Sequence, residues 1–257
     1  MKIVLIGAGN VATNLGIALS KVKHEIVQVY SRTEKAAHDL AEMLNAEYTA
    51  NIEKVTEGAD LYILSVKDDV LPALIPQLCK GKENKMFVHT AGSVSMDVFK
   101  GYANHYGVFY PMQTFSKNRL VLFDEIPCFV EGCGVMELAF LKLFASQLTQ
   151  KVYQMDSEGR KYLHLAAVFA CNFANHCYAL GADILEKHHI PQEVLLPLID
   201  ETAAKVHELS AKDAQTGPAV RYDQEVLKRQ AGLLDDNPLL KHIYESMSKS
   251  IHEMSKS

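Results

Sequence analysis

The feature that most constrains the fold of this chain is a glycine turn between an apolar run and a helical pattern near its start. Ile3–Ile6 are all apolar, Gly7-Ala8-Gly9 follow directly, and Val11–Ser20 has helical spacing. A G-x-G-x-x-A turn in this context is typical of a βαβ unit that binds a dinucleotide. Gly7 permits the tight turn, and Gly9 lets the backbone approach a pyrophosphate. The alternative is a glycine turn that only connects strand and helix.

The helix after this turn is the second part of the predicted phosphate-binding site. Its first N–H groups have no partner within the helix, and the positive end of its dipole lies there, so both favour phosphate. Ala12, in the third position of the motif, keeps the helix close to the sheet. We therefore expect cofactor contacts from Gly7, Ala8, Gly9, Asn10 and Val11.

The end of the second predicted strand bears on the choice of cofactor. NAD sites usually carry an acidic residue there, but here Ile26–Tyr30 runs into Ser31-Arg32-Thr33 with no acid before Glu34. A guanidinium matches a phosphate in charge and in bidentate geometry. These three residues favour the 2′-phosphate of NADP, although an exposed arginine near a helix start is the alternative.

Two further strand ends belong to the same predicted crevice, since ligands bind at the carboxyl ends of parallel strands. The first consists of Ser65, Val66 and Lys67, and the second of Thr90, Ala91 and Gly92. The small residues of the second segment leave room for the nicotinamide ribose. Ordinary loops are the alternative at both places.

The pattern of elements predicts an α/β protein with a doubly wound, mostly parallel Rossmann sheet, followed by a second, all-helical domain. Strands whose residues are nearly all apolar indicate a sheet buried on both faces, and their alternation with helices indicates right-handed crossovers. We set the boundary at 154/155, giving a dinucleotide-binding domain of 1–154 and a helical substrate or dimerisation domain of 155–257. The predicted strands are Ile3–Ile6, Ile26–Tyr30, Leu61–Val66, Met86–Thr90 and Cys128–Glu131, and the helices of the first domain are Val11–Ser20, Lys35–Leu44, Val70–Leu78 and Val135–Leu148.

The second half shows only helical periodicity. Gly159–Glu186 reads as one long helix opened by Asp156 or Ser157, and another helix begins near Pro191. Apolar residues spaced along 240–254 form one stripe on a C-terminal helix. That stripe predicts self-association, most simply a homodimer; packing within its own domain is the alternative.

Composition excludes several classes of protein. The 31 acidic residues outnumber the 26 basic ones, whereas nucleic-acid binders need surplus cations, so we expect no nucleic-acid partner. The five cysteines are scattered, which favours a reducing, cytoplasmic location over a disulfide framework. No apolar run is long enough to cross a membrane. Metal-ligand spacings are also absent, so we expect no metal.

Three more segments, together with the N-terminal turn, carry a resemblance to a known family: His89–Ser93, Gly107–Phe115 and Thr216–Asp223. The chain resembles the 6-phosphogluconate-dehydrogenase-like superfamily. It is more closely similar to uncharacterised Rossmann-like members with a C-terminal helical domain of unknown function, provisionally described as NADP oxidoreductases. The resemblance implies this fold and NADP. Two positions depart from it, because such proteins often have His at Tyr110 and Gly at Tyr222.

Residues that could act on a substrate are sought on the long helix and on loops near the nicotinamide. Related β-hydroxyacid dehydrogenases place a catalytic Lys four residues before an Asn, but here Val168 precedes Asn172 at that spacing. Asn172 is the leading candidate for substrate positioning, with a buried structural Asn as the alternative. His176 could donate a proton, although a packed core histidine is the simpler interpretation. Lys161 is the third catalytic candidate; it shares one helical face with Leu165, Asn172 and His176 and lies nearly three turns from Asn172.

Two loop residues are candidates for substrate binding. Arg221 could hold a carboxylate, or pair with Asp223, which can also cap the next helix. Gln113 follows a proline-containing turn and could border the same crevice.

These observations lead to one main hypothesis of function and two alternatives. The main one is an NADP-dependent oxidoreductase that transfers hydride between nicotinamide and a small C=O or C=N substrate at the domain interface. A non-catalytic NADP(H)-binding sensor or scaffold is the second. A deazaflavin-dependent NADP reductase is the third.

Overall fold

A single eight-stranded sheet organises the first part of the chain, in a computed structural model that describes residues 1–256. The strand order is β3-β2-β1-β4-β5-β6-β7-β8, and every neighbouring pair is parallel except β6 and β7. The strands are β1 Lys2–Ile6, β2 Glu25–Tyr30, β3 Glu47–Thr49, β4 Leu61–Leu64, β5 Met86–His89, β6 His105–Pro111, β7 Cys128–Gly132 and β8 Val152–Gln154.

Helices cover both faces of this sheet. They are α1 Asn10–Lys21, α2 Glu34–Leu44, α3 Leu71–Cys79 and α4 Val135–Ser146. Side chains alternate between the faces along each strand. In β1, Ile3 and Leu5 pack with α1, α2 and α4, while Val4 and Ile6 pack with α3. Burial on both sides explains why the inner positions of these strands are nearly all apolar, and the predicted α/β doubly wound class is confirmed.

Three strands were not predicted from sequence. β3 and β8 have only three residues each and lie at the two edges of the sheet. β6 is longer, but Gly107 interrupts its apolar run and Pro111 ends it. Both residues weaken a strand pattern, although β6 pairs along its length with β5 and β7.

After β8 the chain is helical, in agreement with the predicted change of character. The helices are α5 Ser157–Ala167, α6 Ala174–Lys187, α7 Leu196–Glu208, α8 Pro218–Arg221, α9 Gln224–Gly232 and α10 Pro238–Ser255. The described chain forms two compact units, the first comprising Met1–Cys171 and the second beginning at Asn172. The boundary at 154/155 stays a prediction.

The predicted helix Gly159–Glu186 differs from the structure in one respect. Asp156 does open α5, because its side chain accepts a hydrogen bond from the N–H of Gly159 at 2.7 Å. However, Val168–Phe173 is a π-helix rather than an α-helix. A π turn holds more residues than 3.6, so the helical face predicted to carry Lys161, Asn172 and His176 does not continue regularly through it.

Within residues 1–256, every helix is either too short or too polar to cross a bilayer.

Candidate cofactor site

The turn after β1 has a shape that only glycine fits. Gly7 has φ of +114°, and its N–H donates to the carbonyl of Tyr30 at 2.7 Å. A β-carbon at this position would lie 2.3 Å from the carbonyl oxygen of Ser65, at the end of β4. The turn is therefore held tightly between the ends of two strands, as the sequence motif predicts.

The start of α1 leaves its first N–H groups without a capping side chain. Gly9 is the N-cap residue and provides no side-chain acceptor. A β-carbon built on Gly9 would meet nothing within 4 Å, so the space beside it is open. Both hydrogen-bond donors of Thr13 bind the carbonyl of Gly9, at 2.9 and 3.0 Å, which fixes the turn from the helix side. Open space thus adjoins a helix start that has no capping side chain, an arrangement that favours anions.

A cavity of about 270 Å³ opens at this turn, along the carboxyl ends of β1, β2 and β4. Nine of the predicted cofactor contacts line it. Arg32 is exposed and forms no ion pair in the described part of the chain. The nearby hydroxyl of Ser31 accepts from the N–H of Thr33 at 3.3 Å. The lining residues are Gly7, Ala8, Gly9, Tyr30, Ser31, Arg32, Thr33, Ser65, Val66, Lys67, Val70 and Leu74.

The remaining predicted contacts lie on either side of this cavity. Asn10 and Val11 begin α1. Thr90, Ala91 and Gly92 follow β5 and are buried or nearly so. The Thr90 hydroxyl donates to the hydroxyl of Ser65 at 3.2 Å, so the ends of β4 and β5 are linked by side chains. The predicted segments thus form one continuous edge of the sheet.

A tyrosine–histidine pair lies next to Gly92. His164, on α5, is so close that a β-carbon on Gly92 would be 2.5 Å from its Nδ1. The hydroxyl of Tyr110, near the end of β6, is 3.0 Å from the same Nδ1. Neither residue was predicted as a site residue. Tyr110 and His164 are 54 positions apart, and the helical face chosen from sequence passed through Leu165 instead.

Charged groups around this pair are fixed by partners of their own. The Arg160 guanidinium is buried and contacts Glu131, the carbonyl of Val94 and the hydroxyl of Ser157. The carboxylate of Asp68 accepts from Ser93. These contacts hold the start of α5 and the loop after β5 in place.

His89, the last residue of β5, is a neutral structural group. It is fully buried, and its Nδ1 accepts from the N–H of Ala91 at 3.2 Å. Burial, with a smaller contribution from the charge of Arg160, lowers the pKa of His89 to about 3. Its ring therefore supports the loop in the neutral form throughout the physiological pH range.

The three predicted catalytic residues are at the surface of the described chain. Lys161 pairs with Glu158 on α5. Asn172 lies in the π-helix and His176 in α6, and both are exposed. Exposure contradicts the alternatives of a buried Asn and a core His in a single copy of the chain. Their catalytic roles stay predictions.

The two predicted substrate-binding residues are also exposed. The Oε1 of Gln113 accepts from the N–H of Thr114 at 2.8 Å. Arg221 ends α8 and forms no ion pair within residues 1–256, so the alternative Arg221–Asp223 pair is not formed. Asp223 does cap α9, accepting from the N–H of Val226 at 3.3 Å.

Asn14 is a further residue that sequence reasoning missed. It is buried in α1, and its amide donates to the carbonyl of Ser116 at 2.9 Å and accepts from the N–H of Val121 at 3.2 Å. This side chain therefore fastens the loop after β6 to the helix that follows the glycine turn. Its signal in the sequence is a polar residue on the apolar face of α1.

Comparison with known families assigns both parts of the chain. Residues 1–110 match a Rossmann-like domain, and residues 126–251 match a domain of unknown function, DUF2520. Curated protein sequences gave no match.

Solved structures also resemble this chain. A Bacteroides fragilis protein provisionally described as an NADP oxidoreductase is 55% identical, with 98% of each chain covered and a TM-score of 0.95. An imine reductase from Myxococcus stipitatus in complex with NADP+ is 16% identical, with 100% of this chain and 94% of that one covered and a TM-score of 0.70. A 1-pyrroline-5-carboxylate reductase from Streptococcus pyogenes is 15% identical, with 98% of each chain covered and a TM-score of 0.66. The last two share the fold.

Proposed function

Because the chain belongs to the family that joins a Rossmann-like domain to a DUF2520 domain, we propose that it is an NADP(H)-dependent oxidoreductase. Its reaction would transfer hydride between nicotinamide and a small C=O or C=N substrate. The observation that carries the proposal is a cavity that joins the open glycine turn to Arg32, which forms no ion pair with any residue of 1–256.

The residues around this cavity suit the two phosphate groups of NADP. The uncapped start of α1 and the open space beside Gly9 would receive the pyrophosphate. Arg32, with Ser31 and Thr33, would bind the 2′-phosphate. When bound, the nicotinamide supplies or accepts the hydride. The protein binds and orients the cofactor, and the segments 65–67 and 90–92 would line its path along the sheet edge.

The relatives support this proposal at different levels of detail. The Bacteroides fragilis protein is described as an NADP oxidoreductase, and two structures with the same fold are reductases that act on C=N bonds. A small-molecule substrate and a C=N or C=O group are therefore the first choices. A cytoplasmic location remains part of the proposal.

Replacing Arg32 with alanine should weaken NADPH binding selectively. A charge-assisted hydrogen bond contributes about 1.5–3 kcal/mol, so the Kd for NADPH should rise about 10- to 150-fold. The Kd for NADH, which has no 2′-phosphate, should change little. Fluorescence titration measures both. Lys35→Ala is the matched control, because Lys35 is an exposed cation on α2 that pairs with Asp39. Equal affinity of the native protein for NADPH and NADH would contradict the assignment.

Turnover distinguishes the enzyme from a sensor or scaffold that binds NADP(H) without reaction. A panel of cyclic imines, 2-keto acids and 2-hydroxy acids is followed by absorbance at the nicotinamide band. We expect oxidation of NADPH by at least one imine or carbonyl compound. Tight NADPH binding with no turnover across the panel would favour the sensor.

We also propose that the partner of the second unit is a second copy of this chain. Among described residues from 172 onward, only Ala219 and Ala231 are buried. Large apolar side chains are instead exposed, including Leu233 at 77%, Leu239 at 70% and Leu198 at 63%. A helical unit without a core of its own needs another surface to bury these residues, each worth about 1.5–3 kcal/mol. A homodimer provides such a surface by symmetry.

Light scattering should therefore give a mass of two 28.6-kDa chains, and the melting temperature should rise with protein concentration. Leu198→Asp should weaken the dimer, whereas Lys212→Asp, at an exposed polar position, should leave it intact. A monomer whose melting temperature is independent of concentration would contradict the proposal.

A further inference from the structure

The pair formed by Tyr110 and His164 lies where the reacting end of the cofactor is expected. His89, the last residue of β5, is aligned with Val108 of β6, so Tyr110, two residues further along β6, lies past the end of the β5–β6 pairing, at the level of the segment after β5. His164 approaches the same segment from α5 and packs against Gly92 so closely that any side chain there would collide with its ring. Sequence reasoning assigns that segment to the nicotinamide ribose.

Hydrogen bonding fixes which nitrogen of His164 carries a proton. Tyr110 is 9% exposed, and within residues 1–256 the only acceptor for its hydroxyl proton is Nδ1 of His164. A buried hydroxyl needs an acceptor, so in the neutral pair Tyr110 donates to Nδ1. In that neutral form the ring proton is on Nε2. In the imidazolium form both nitrogens are protonated, so Nδ1–H donates to the Tyr110 oxygen and Nε2 again carries a proton. Nε2 has no hydrogen-bond partner among the described residues, so it is available to a substrate.

The phenol of Tyr110 remains in its neutral form under physiological conditions. Burial raises its pKa above the ordinary value. The charge of Arg160 opposes this shift and that of Asp68 adds to it, but burial dominates. Tyr110 thus remains a neutral hydroxyl that can hydrogen-bond Nδ1 in either form of the ring, and it is not itself the proton source for the reaction.

Other ionisable groups near this segment have partners or are inaccessible. Arg160 is bound to Glu131, and Asp68 accepts from Ser93. His89 is fully buried. Lys161, on the neighbouring face of α5, pairs with Glu158. Compared with these groups, His164 is partly exposed and its Nε2 has no hydrogen-bond partner in the described chain.

We propose that His164 is the catalytic acid of the reaction and that Tyr110 is its positioning residue; this rests on the proposed reductase function. In the reduction of an imine, the carbon gains hydride from the reduced nicotinamide, and the C=N π pair moves to nitrogen. Nitrogen forms an N–H bond with the Nε2 proton of the His164 imidazolium, which becomes a neutral imidazole with its remaining proton on Nδ1 and is then reprotonated at Nε2 from water. The imine is reduced to an amine and NADPH is oxidised to NADP+. A carbonyl substrate would receive the proton on oxygen.

Kinetics of two variants test these roles. General acid catalysis contributes about 10²–10⁴-fold, so His164→Gln should lower kcat by about 100-fold or more on the imine or carbonyl compound that turns over. Tyr110→Phe keeps the ring but loses the hydroxyl, so kcat should fall less and KM should change little. The Kd for NADPH should stay within about threefold in both variants. His105→Gln is the control, since His105 is exposed and pairs with Glu137. Unchanged kcat in His164→Gln would overturn the proposal.

Histidine NMR provides a test that does not require turnover. The ring signals of His164 are assigned by their loss in His164→Gln. In the ligand-free protein they should show the Nε2–H form, and Tyr110→Phe should remove this preference. NADP+ should shift these signals, whereas adenosine 2′,5′-bisphosphate, which lacks nicotinamide, should bind without shifting them. NADP+ binding without a shift of His164 would refute this inference alone. Failure of both ligands to bind would instead refute the proposed function.

Discussion

Replacing Arg160 with methionine should lower the free energy of unfolding by about 3–5 kcal/mol, the usual effect of removing one partner of a buried ion pair. Arg160 is 1% exposed, and its guanidinium donates to the carboxylate of Glu131 and to the carbonyl of Val94 at 2.6 Å. Methionine fills a similar volume but leaves the Glu131 carboxylate without a compensating charge. Urea unfolding followed by circular dichroism measures the loss.

The double variant Arg160→Met/Glu131→Gln separates charge from packing. Glutamine keeps the oxygen that accepts from the N–H of Ser157, a bond of 2.9 Å, and removes the buried charge. We therefore expect the double variant to recover a large part of the lost stability. If Arg160→Met costs less than about 1 kcal/mol, the network does not stabilise the fold. The same network holds the start of α5, one turn before His164, so its loss should also reduce catalysis by displacing that ring.

The strands that were predicted correctly are those with a local pattern in the sequence. Strands β1, β2, β4 and β5 are short runs buried on both faces, so apolar composition alone reveals them. β6 was not predicted, because the evidence for this strand is its pairing with β5 and β7, and strand pairing leaves no local pattern in the sequence. Three-residue edge strands carry too little pattern to identify.

The residues of the candidate site likewise fall into two groups, those that a local motif predicts and those that only the fold brings together. The glycine turn and Arg32 belong to contiguous motifs whose physical requirements can be read residue by residue. The pair of Tyr110 and His164 forms only when β6 and α5 come together in the fold. The helical face drawn from Lys161 assumed a regular α-helix, and the π-helix at Val168–Phe173 breaks that assumption. His164 lies before the π-helix, in α5, and was missed because no contiguous motif marks it.

Replacing Gly7 with alanine should destabilise the protein by about 3 kcal/mol or more. The residue has φ of +114°, and its new β-carbon would lie 2.3 Å from the Ser65 carbonyl oxygen, a backbone atom that cannot rotate away. To remove this clash, the ends of β1 and β4 would have to separate, and their separation would widen the cavity that these strand ends line. Urea unfolding should show the loss, and NADPH binding should weaken by at least 100-fold because the turn no longer presents its amides.

Gly9→Ala is the matched variant, because it adds the same methyl group two residues further along the chain, where the surroundings of the β-carbon are different. Gly9 has an ordinary φ of −86°, and its β-carbon would contact nothing within 4 Å, so stability should change by about 1 kcal/mol or less. The methyl group would instead occupy the space proposed for the pyrophosphate, so NADPH binding should weaken while the fold persists. Unchanged NADPH affinity in Gly9→Ala would mean that the cofactor phosphates do not approach this turn. Unchanged stability in Gly7→Ala would mean that the turn is not fixed against β4.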